Sequence, residues 1–142
     1  MALESEIWAL QQIPIFQGAE PASLRLMACL SEKVFIEQGE FLCHGGDPSD
    51  AVFVVLSGEV EFLLQNSNGT RSLGREGAGA VVGEVGILCD SPRTASVLAL
   101  TDLVLLRLNR ESFFRLMQDN ARFSLAVARE LARRLQRTVA NS

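Results

Sequence analysis

The residues best suited to chemistry stand in one glycine-rich stretch, from Gly83 to Ala95. Glu84 supplies a carboxylate and Arg93 a guanidinium, nine residues apart. Glycine at positions 83 and 86 lets backbone N–H groups approach an anion, and an arginine can donate two parallel hydrogen bonds to phosphate oxygens. A short helical turn after Gly83 would direct its positive end toward the same anion. The stretch therefore suits a sugar phosphate, with Arg93 on the phosphate and Glu84 on a hydroxyl. The alternative is an ordinary surface ion pair beside two turn glycines.

The same stretch resembles the phosphate-binding cassette of the cyclic nucleotide-binding domain family, and the resemblance runs without insertion over residues 83–95. It implies that Glu84 accepts a hydrogen bond from the ribose 2′-hydroxyl and that Arg93 pairs with the cyclic phosphate. It also implies that amides at both ends of the cassette, together with Gly83, complete the ligand cradle. The residues that would supply these amides are Val85, Gly86, Thr94 and Ala95.

Two positions depart from the family pattern. Val82 replaces the usual phenylalanine, and Gly86 stands where alanine is common. Gly86 is expected to weaken a short helix by roughly 1 kcal/mol relative to alanine, and Val82 is expected to support the cassette less firmly. Neither position carries a polar group that contacts the ligand, so we expect them to change affinity and not ligand class.

A second resemblance to the family lies upstream, in Gly39-Glu40, in the segment 46–50 and in the segment 56–62. Turn residues recur between apolar and alternating runs over residues 33–108, a spacing that favours a β-roll or barrel over a βαβ fold. We therefore predict a mainly β fold with flanking helices. It is a double-stranded β-helix, a jelly-roll-like β-roll, with N-terminal helices and two C-terminal helices.

Helices are predicted at both ends of the chain. Before the strands, the patterns indicate helices over Glu4–Gln12 and Pro21–Leu30. After the strands, Asn109 is a suitable N-cap for a helix over Arg110–Gln118, and Asn120-Ala121 starts a longer helix that reaches about Thr138. We expect one cyclic nucleotide-binding domain over residues 1–142, with the β-roll at about 32–108 and the C-terminal helices at about 110–138.

The last predicted helix carries an apolar stripe with a four-residue step, which includes Phe123, Val127, Leu131 and Leu135. One interpretation is that the stripe only packs on the roll. The other is that it also forms a lid over the base, a homodimer interface, or both. The resemblance implies that nucleotide binding repositions the C-terminal helices, which then signal to an attached or partnering effector. The candidate base or lid contacts are Leu131, Arg133, Arg134 and Leu135.

Composition excludes several classes of function. A length of 142 residues fits one domain, and a formal net charge of −4 argues against a nucleic-acid-binding surface. No uncharged apolar run approaches the roughly 18 residues of a membrane span, and no secretion signal is evident, so we expect a cytoplasmic protein. The three cysteines are odd in number and scattered, which predicts buried reduced thiols over disulfides.

The sequence offers little for catalysis. His44 is the only histidine, so no Ser-His-Asp set can form without it, and no cluster of His, Cys and carboxylate residues has metal-ligand spacing. Cys43 and His44 are adjacent, and adjacent side chains of a strand point to opposite faces. We predict no catalytic residue, no metal ligand and no cofactor beyond the ligand itself. The expected ligand is cyclic AMP in preference to cyclic GMP.

The alternatives are a β-roll that binds no nucleotide and serves protein contacts, and a cupin-like small-barrel enzyme. The effector is not identifiable from the sequence.

Overall fold

The computed structural model describes residues 2–140, without the side chains of Ala2, Leu3 and Pro14. The chain divides into two compact units. One, which we call the roll unit, comprises Leu30–Phe113, and the other, the helical unit, comprises the residues up to Cys29 and from Phe114 onward. The expected single domain over 1–142 stays a prediction.

The roll unit is built from two antiparallel four-stranded sheets. The strand order is β1-β8-β3-β6 in the first sheet and β2-β7-β4-β5 in the second. This arrangement confirms the predicted mainly β roll with flanking helices. The strands are β1 Glu32–Ile36, β2 Phe41–Cys43, β3 Ala51–Ser57, β4 Val60–Asn66, β5 Gly69–Glu76, β6 Val81–Val82, β7 Ser96–Ala99 and β8 Leu103–Asn109.

The core of the roll unit is filled mostly by small and β-branched side chains from both sheets, together with one phenylalanine and two leucines. Strand β3 is buried at each of its first five positions, as a continuous apolar run predicts for a central strand. It pairs with β8 on one side and with the short β6 on the other. The buried members of the core are Cys43, Ala51, Phe53, Val55, Val60, Val82, Val97, Ala99, Leu103 and Leu105.

Helices flank the strands on both sides in sequence, and one short helix is inserted between β6 and β7. In the helical unit, Phe16 of a 3₁₀ turn over Pro14–Phe16 stacks on Phe123, with ring centroids 5.4 Å apart and planes inclined by 7°. Asn120 caps the last helix, since its side-chain oxygen accepts a hydrogen bond from Phe123 N at 3.0 Å. The α-helices are α1 Ala2–Gln11, α2 Pro21–Leu30, α3 Glu84–Leu88, α4 Arg110–Asp119 and α5 Ala121–Ala140.

The helix predictions are confirmed, with end points that differ by one or two residues. The cysteine prediction is partly wrong. All three thiols are free, but only Cys43 is buried, whereas Cys29 and Cys89 are exposed. Cys29 follows Ala28 on α2, and a helical step of about 100° carries it off the buried face. No helix in the described chain is long and apolar enough to cross a membrane.

Candidate functional site

The cassette is the segment that leaves β6, forms α3 and returns to β7. Gly83, the residue before α3, has φ 97° and ψ 0°, a left-handed conformation that favours glycine. A Cβ at this position would lie 2.9 Å from the carbonyl oxygen of Ala51 and would meet the guanidinium of Arg93. Glycine is therefore required here both by backbone conformation and by the close approach of Arg93.

Arg93 is a buried cation, with 7% of its surface exposed. Its Nη2 donates a hydrogen bond to the carbonyl oxygen of Ala51 at 2.9 Å and lies 3.6 Å from a carboxylate oxygen of Asp50. The guanidinium carbon lies 5.3 Å from the centre of the Phe53 ring, within the range of a cation–π contact. These neighbours hold the guanidinium in one orientation.

Asp50 is shared between two arginines. Its carboxylate pairs with Arg107 at 3.3 Å as well as with Arg93, and its side chain is 66% exposed. Water competes for the exposed carboxylate, and the 3.6 Å separation is longer than a charge-assisted hydrogen bond. The contact therefore compensates the charge of Arg93 only weakly, and a better anion can displace it.

The backbone around Arg93 is fixed by the loop between β2 and β3. Arg93 N donates to the carbonyl oxygen of Asp47 at 2.8 Å, and Gly46 N donates to the carbonyl oxygen of Arg93 at 2.8 Å. Gly45 N also donates to Ser96 Oγ at 2.9 Å. These backbone hydrogen bonds position Arg93 independently of its side-chain contacts, so the loop is part of the site.

Glu84 begins α3 and is 3% exposed. In the described part of the chain, no buried side-chain nitrogen or oxygen lacks a hydrogen-bond partner, so the burial of this carboxylate is compensated. With Arg93 buried as well, the two residues are not the ordinary surface ion pair that the sequence left open. Charged side chains are almost never this deeply buried unless they are paired.

Gly86 has a structural role that corrects our expectation for this position. A Cβ there would lie 2.9 Å from Ser49 Cβ, 3.2 Å from the carbonyl oxygen of Ser91 and in conflict with Ser49 Oγ. Ser49 is buried, and its hydroxyl donates to that same carbonyl oxygen at 2.7 Å. The serine occupies the space of the methyl group that the family pattern places on α3. The glycine accommodates Ser49, and its low helix propensity alone does not describe its effect.

The two ends of the cassette meet in space. Ser91 N donates to the carbonyl oxygen of Gly86 at 2.9 Å, and the Arg93 guanidinium lies against Gly83. Of the residues predicted to offer amides, Val85 is 42% exposed, Thr94 is exposed and Ala95 is partly exposed. Their assignment to a ligand stays a prediction.

The predicted base or lid contacts belong to the helical unit. On α5, Arg133 and Arg134 lie 3.6 and 3.5 Å from the Glu130 carboxylate, and Leu135 is 65% exposed. Leu131 is partly buried on the same helix. Whether these side chains contact a nucleotide base stays a prediction.

Three residues that hold Arg93 or its cassette were not predicted as site residues, although two of them lie in the segment 46–50 that resembles the family. Ser49, Asp50 and Phe53 belong to the loop before β3 or to β3 itself, distant from the cassette in the chain. The available signal was weak: polar residues that directly precede a buried strand often serve a site at its edge. The contacts of Asp50 and Phe53 with Arg93 depend on the packing of α3 against β3, which joins segments far apart in the chain.

Catalytic chemistry has little support in the described residues. No group of three His, Cys, Asp or Glu side chains in residues 2–140 is placed to hold a metal ion. Cys43 is buried, while His44 is exposed and packs on Phe41 with ring centroids 4.6 Å apart. Burial raises the pKa of the Cys43 thiol, which disfavours the nucleophilic thiolate.

The chain is similar to known proteins in both fold and sequence. The catabolite activator protein of Thermus thermophilus superposes with a TM-score of 0.82 at 30% identity, over 90% of this chain and 61% of that one. A CRP-like cAMP-activated global transcriptional regulator of Mycobacterium tuberculosis is 29% identical over 125 residues, 87% of this chain. A lysophospholipase of Aspergillus terreus is 31% identical over 106 residues, 74% of this chain.

The structure defines a β-roll module with a helical cassette inserted between two strands. The family model of the cyclic nucleotide-binding domain matches residues 33–120, and the chain belongs to that family. The match covers the strands, the cassette and α4. The chain spans 56% of the length of the mycobacterial regulator and 7% of the length of the lysophospholipase.

Proposed function

We propose that this chain binds a 3′,5′-cyclic nucleotide and acts as a regulatory sensor module without catalytic activity, in the cytoplasm. The observation that carries the proposal is the burial of Glu84 and Arg93 on one short cassette. A 3′,5′-cyclic nucleotide has a single free ribose hydroxyl and a monoanionic phosphate. One buried acceptor and one buried guanidinium match these two groups.

The phosphate would exchange with Asp50 as the partner of Arg93. Nη2 is committed to the carbonyl oxygen of Ala51, and a guanidinium has five N–H donors in all. Phosphate oxygens can accept two of the remaining donors in parallel, which is stronger than the 3.6 Å contact with an exposed carboxylate. Asp50 would keep Arg107 as its partner.

Cyclic AMP is the favoured ligand, with cyclic GMP as the second candidate. The mycobacterial relative is described as cAMP-activated, which supports the first. Thr94 is the polar hint for the second, because it follows Arg93 and is exposed, so its hydroxyl is available to a purine amino group. Glu84 and Arg93 distinguish neither base, since they serve the sugar and the phosphate.

The output would be a movement of the C-terminal helices that controls an effector, with a homodimer through α5 as one arrangement. A ligand shifts such an equilibrium only by the difference between its affinities for the two arrangements. Contacts from Leu131, Arg133, Arg134 or Leu135 to the base would supply that difference. The proposed single domain over 1–142 would then couple the roll unit to the helical unit.

Calorimetric titration of the purified chain with cyclic AMP, cyclic GMP and 5′-AMP tests the ligand. We expect saturable binding of a cyclic nucleotide and exclusion of 5′-AMP, whose phosphate is an uncyclised dianion. Arg93→Ala should weaken binding by about 2–5 kcal/mol, because it removes a buried phosphate partner. Arg71→Ala, an exposed change on β5, is the control. Absence of heat and an unchanged Tm with both cyclic nucleotides would favour the nucleotide-free β-roll that serves protein contacts.

Glu84→Gln tests the assignment of the 2′-hydroxyl. The variant should bind cyclic AMP less tightly and lose most of its preference over 2′-deoxy cyclic AMP, because a neutral amide oxygen is a weaker acceptor than a carboxylate. Titrations of both ligands against both proteins give the comparison. A variant that rejects the deoxy ligand as strongly as the unaltered chain does would show that Glu84 has another role.

A further inference from the structure

The helical unit contains a groove of about 310 Å³, and no residue of the cassette lines it. One wall is α5, and the other includes the 3₁₀ turn, which contributes Ile15. Ile15 is buried, with 8% of its surface exposed, whereas Leu125 is 50% exposed, so Leu125 supplies the accessible apolar surface of the groove. The charged residues that line it are Arg122, Arg129, Glu130 and Arg133.

The groove is basic in a chain that is acidic overall. Its lining holds three arginines and one glutamate, whereas the chain has a formal net charge of −4. Glu130 pairs with Arg133 of the groove at 3.6 Å. Two arginines outside the groove, Arg134 and Arg137, also lie 3.5 and 3.7 Å from its carboxylate. Its single negative charge therefore cannot compensate the lining.

Two of the arginines have no ion-pair partner in the described part of the chain, namely Arg122 and Arg129. Positions 122, 129 and 133 fall on one side of an α-helix, because steps of seven and four residues return to nearly the same direction. Together they form a basic row along the groove, with Leu125 at its margin.

The length of this row selects the shape of its ligand. With a rise of 1.5 Å per residue, Arg122 and Arg129 are about 10 Å apart along the axis, and Arg122 and Arg133 about 16 Å. A row of this length suits an extended ligand with several negative charges better than a single phosphate or sulfate. An extended peptide of five residues spans about 16 Å and can place a carboxylate near each of them.

We propose that this groove is a docking surface for an extended acidic peptide segment of a partner protein, with an apolar side chain of the segment on Leu125. The proposal goes beyond nucleotide binding and uses no residue of the cassette. Arg133, which is also a candidate base contact, stays unchanged in the test. Charge complementarity selects the partner, and the apolar contact between the charges fixes its register.

Fluorescence anisotropy with a labelled peptide of sequence Glu-Glu-Leu-Glu-Glu tests the surface on the full chain. We expect saturable binding that Arg122→Glu with Arg129→Glu weakens at least about tenfold, through lost pairing and added repulsion. The matched control is Arg25→Glu with Arg71→Glu, which changes the net charge equally at exposed positions outside the groove. Arg122→Gln with Arg129→Gln should give an intermediate loss, and circular dichroism checks that each variant is folded.

Further probes separate a peptide site from general attraction between charges. Replacement of the central leucine of the probe by glycine should weaken binding about threefold to tenfold, because it removes the buried apolar contact. Inorganic tripolyphosphate should compete poorly. Equal loss in the control variant, no effect of the leucine, displacement by tripolyphosphate at equal concentration, or no saturable binding would each overturn the proposal.

Discussion

Ser49, in the β2–β3 loop, packs against Gly86 of α3, and its side chain fills the space that a Cβ on Gly86 would need. The serine hydroxyl reaches the carbonyl oxygen of Ser91, and the absence of a Cβ on Gly86 allows it to do so. The pair therefore links the loop that holds Arg93 to the helix that carries Glu84. The effect of a substitution at one of these two positions on stability therefore depends on the residue at the other.

Gly86→Ala measures this coupling. Alanine gains about 1 kcal/mol of helix propensity, but overpacking against Ser49 typically costs 1–3 kcal/mol, so we expect a net loss of about 1 kcal/mol in unfolding free energy. Chemical denaturation is the measurement, with Gly18→Ala as the control because a Cβ there meets no atom within 4 Å.

A double-mutant cycle assigns the loss to Ser49. Ser49→Gly with Gly86→Ala should lose less unfolding free energy than the sum of the two single changes, because the first change makes room for the second. Strict additivity, or an alanine variant as stable as the unaltered chain, would contradict the steric coupling.

Helices α4 and α5 start with the same device in different surroundings. Asn109 Oδ1 accepts from Ser112 N at 2.8 Å and is exposed, whereas Asn120 is 7% exposed and accepts from Phe123 N at 3.0 Å. Asn120 also donates to Ser23 Oγ at 2.8 Å. The second cap therefore ties α5 to α2 as well as starting the helix.

Asn120→Ala should destabilise the chain more than Asn109→Ala. An exposed cap is worth about 1 kcal/mol, whereas loss of the buried cap also leaves the Ser23 hydroxyl and the Phe123 amide without their partner, for a total of about 2–3 kcal/mol. Equilibrium denaturation of both variants gives the difference. Equal effects would mean that water replaces the Asn120 side chain without cost.

The two compact units differ in how their contacts arise along the chain. In the roll unit, β1 pairs with β8, and the cassette is held by bonds between residues 42 positions apart. In the helical unit, much of the order comes from helices with local hydrogen bonds. Cys43 lies in the core of the roll unit, so its reactivity reports whether the roll is closed.

Thiol labelling provides that test. In Cys29→Ser with Cys89→Ser, the remaining Cys43 should react with Ellman's reagent only as the roll opens, because burial excludes the reagent and raises the pKa of the thiol. Its thiolate fraction at a given pH is lower than that of an exposed thiol. Cys43→Ser with Cys89→Ser keeps the exposed Cys29 and should react rapidly. Comparable rates in both proteins would contradict a closed core around Cys43.

Residue type and spacing, together with the family resemblance, predicted the class of fold, the helix starts near Asn109 and Asn120, and the cassette as the candidate site. Each depends on local rules: turn residues interrupt strands, asparagine caps helices, and a glycine-rich turn precedes α3. The prediction that Cys29 and Cys89 are buried was wrong, because a run of apolar letters does not reveal which face of a short element meets the core.

Only the tertiary structure decided how the cassette is held. Ala51 accepts a hydrogen bond from Arg93, Arg93 shares Asp50 with Arg107, and Ser49 occupies the space of the methyl group that the family pattern places at position 86. Each contact joins segments far apart in sequence. It exists because the antiparallel pairing of β3 and the return of the chain through β7 set which atoms meet. Local sequence determines the conformation available to each segment, whereas long-range register determines its partners.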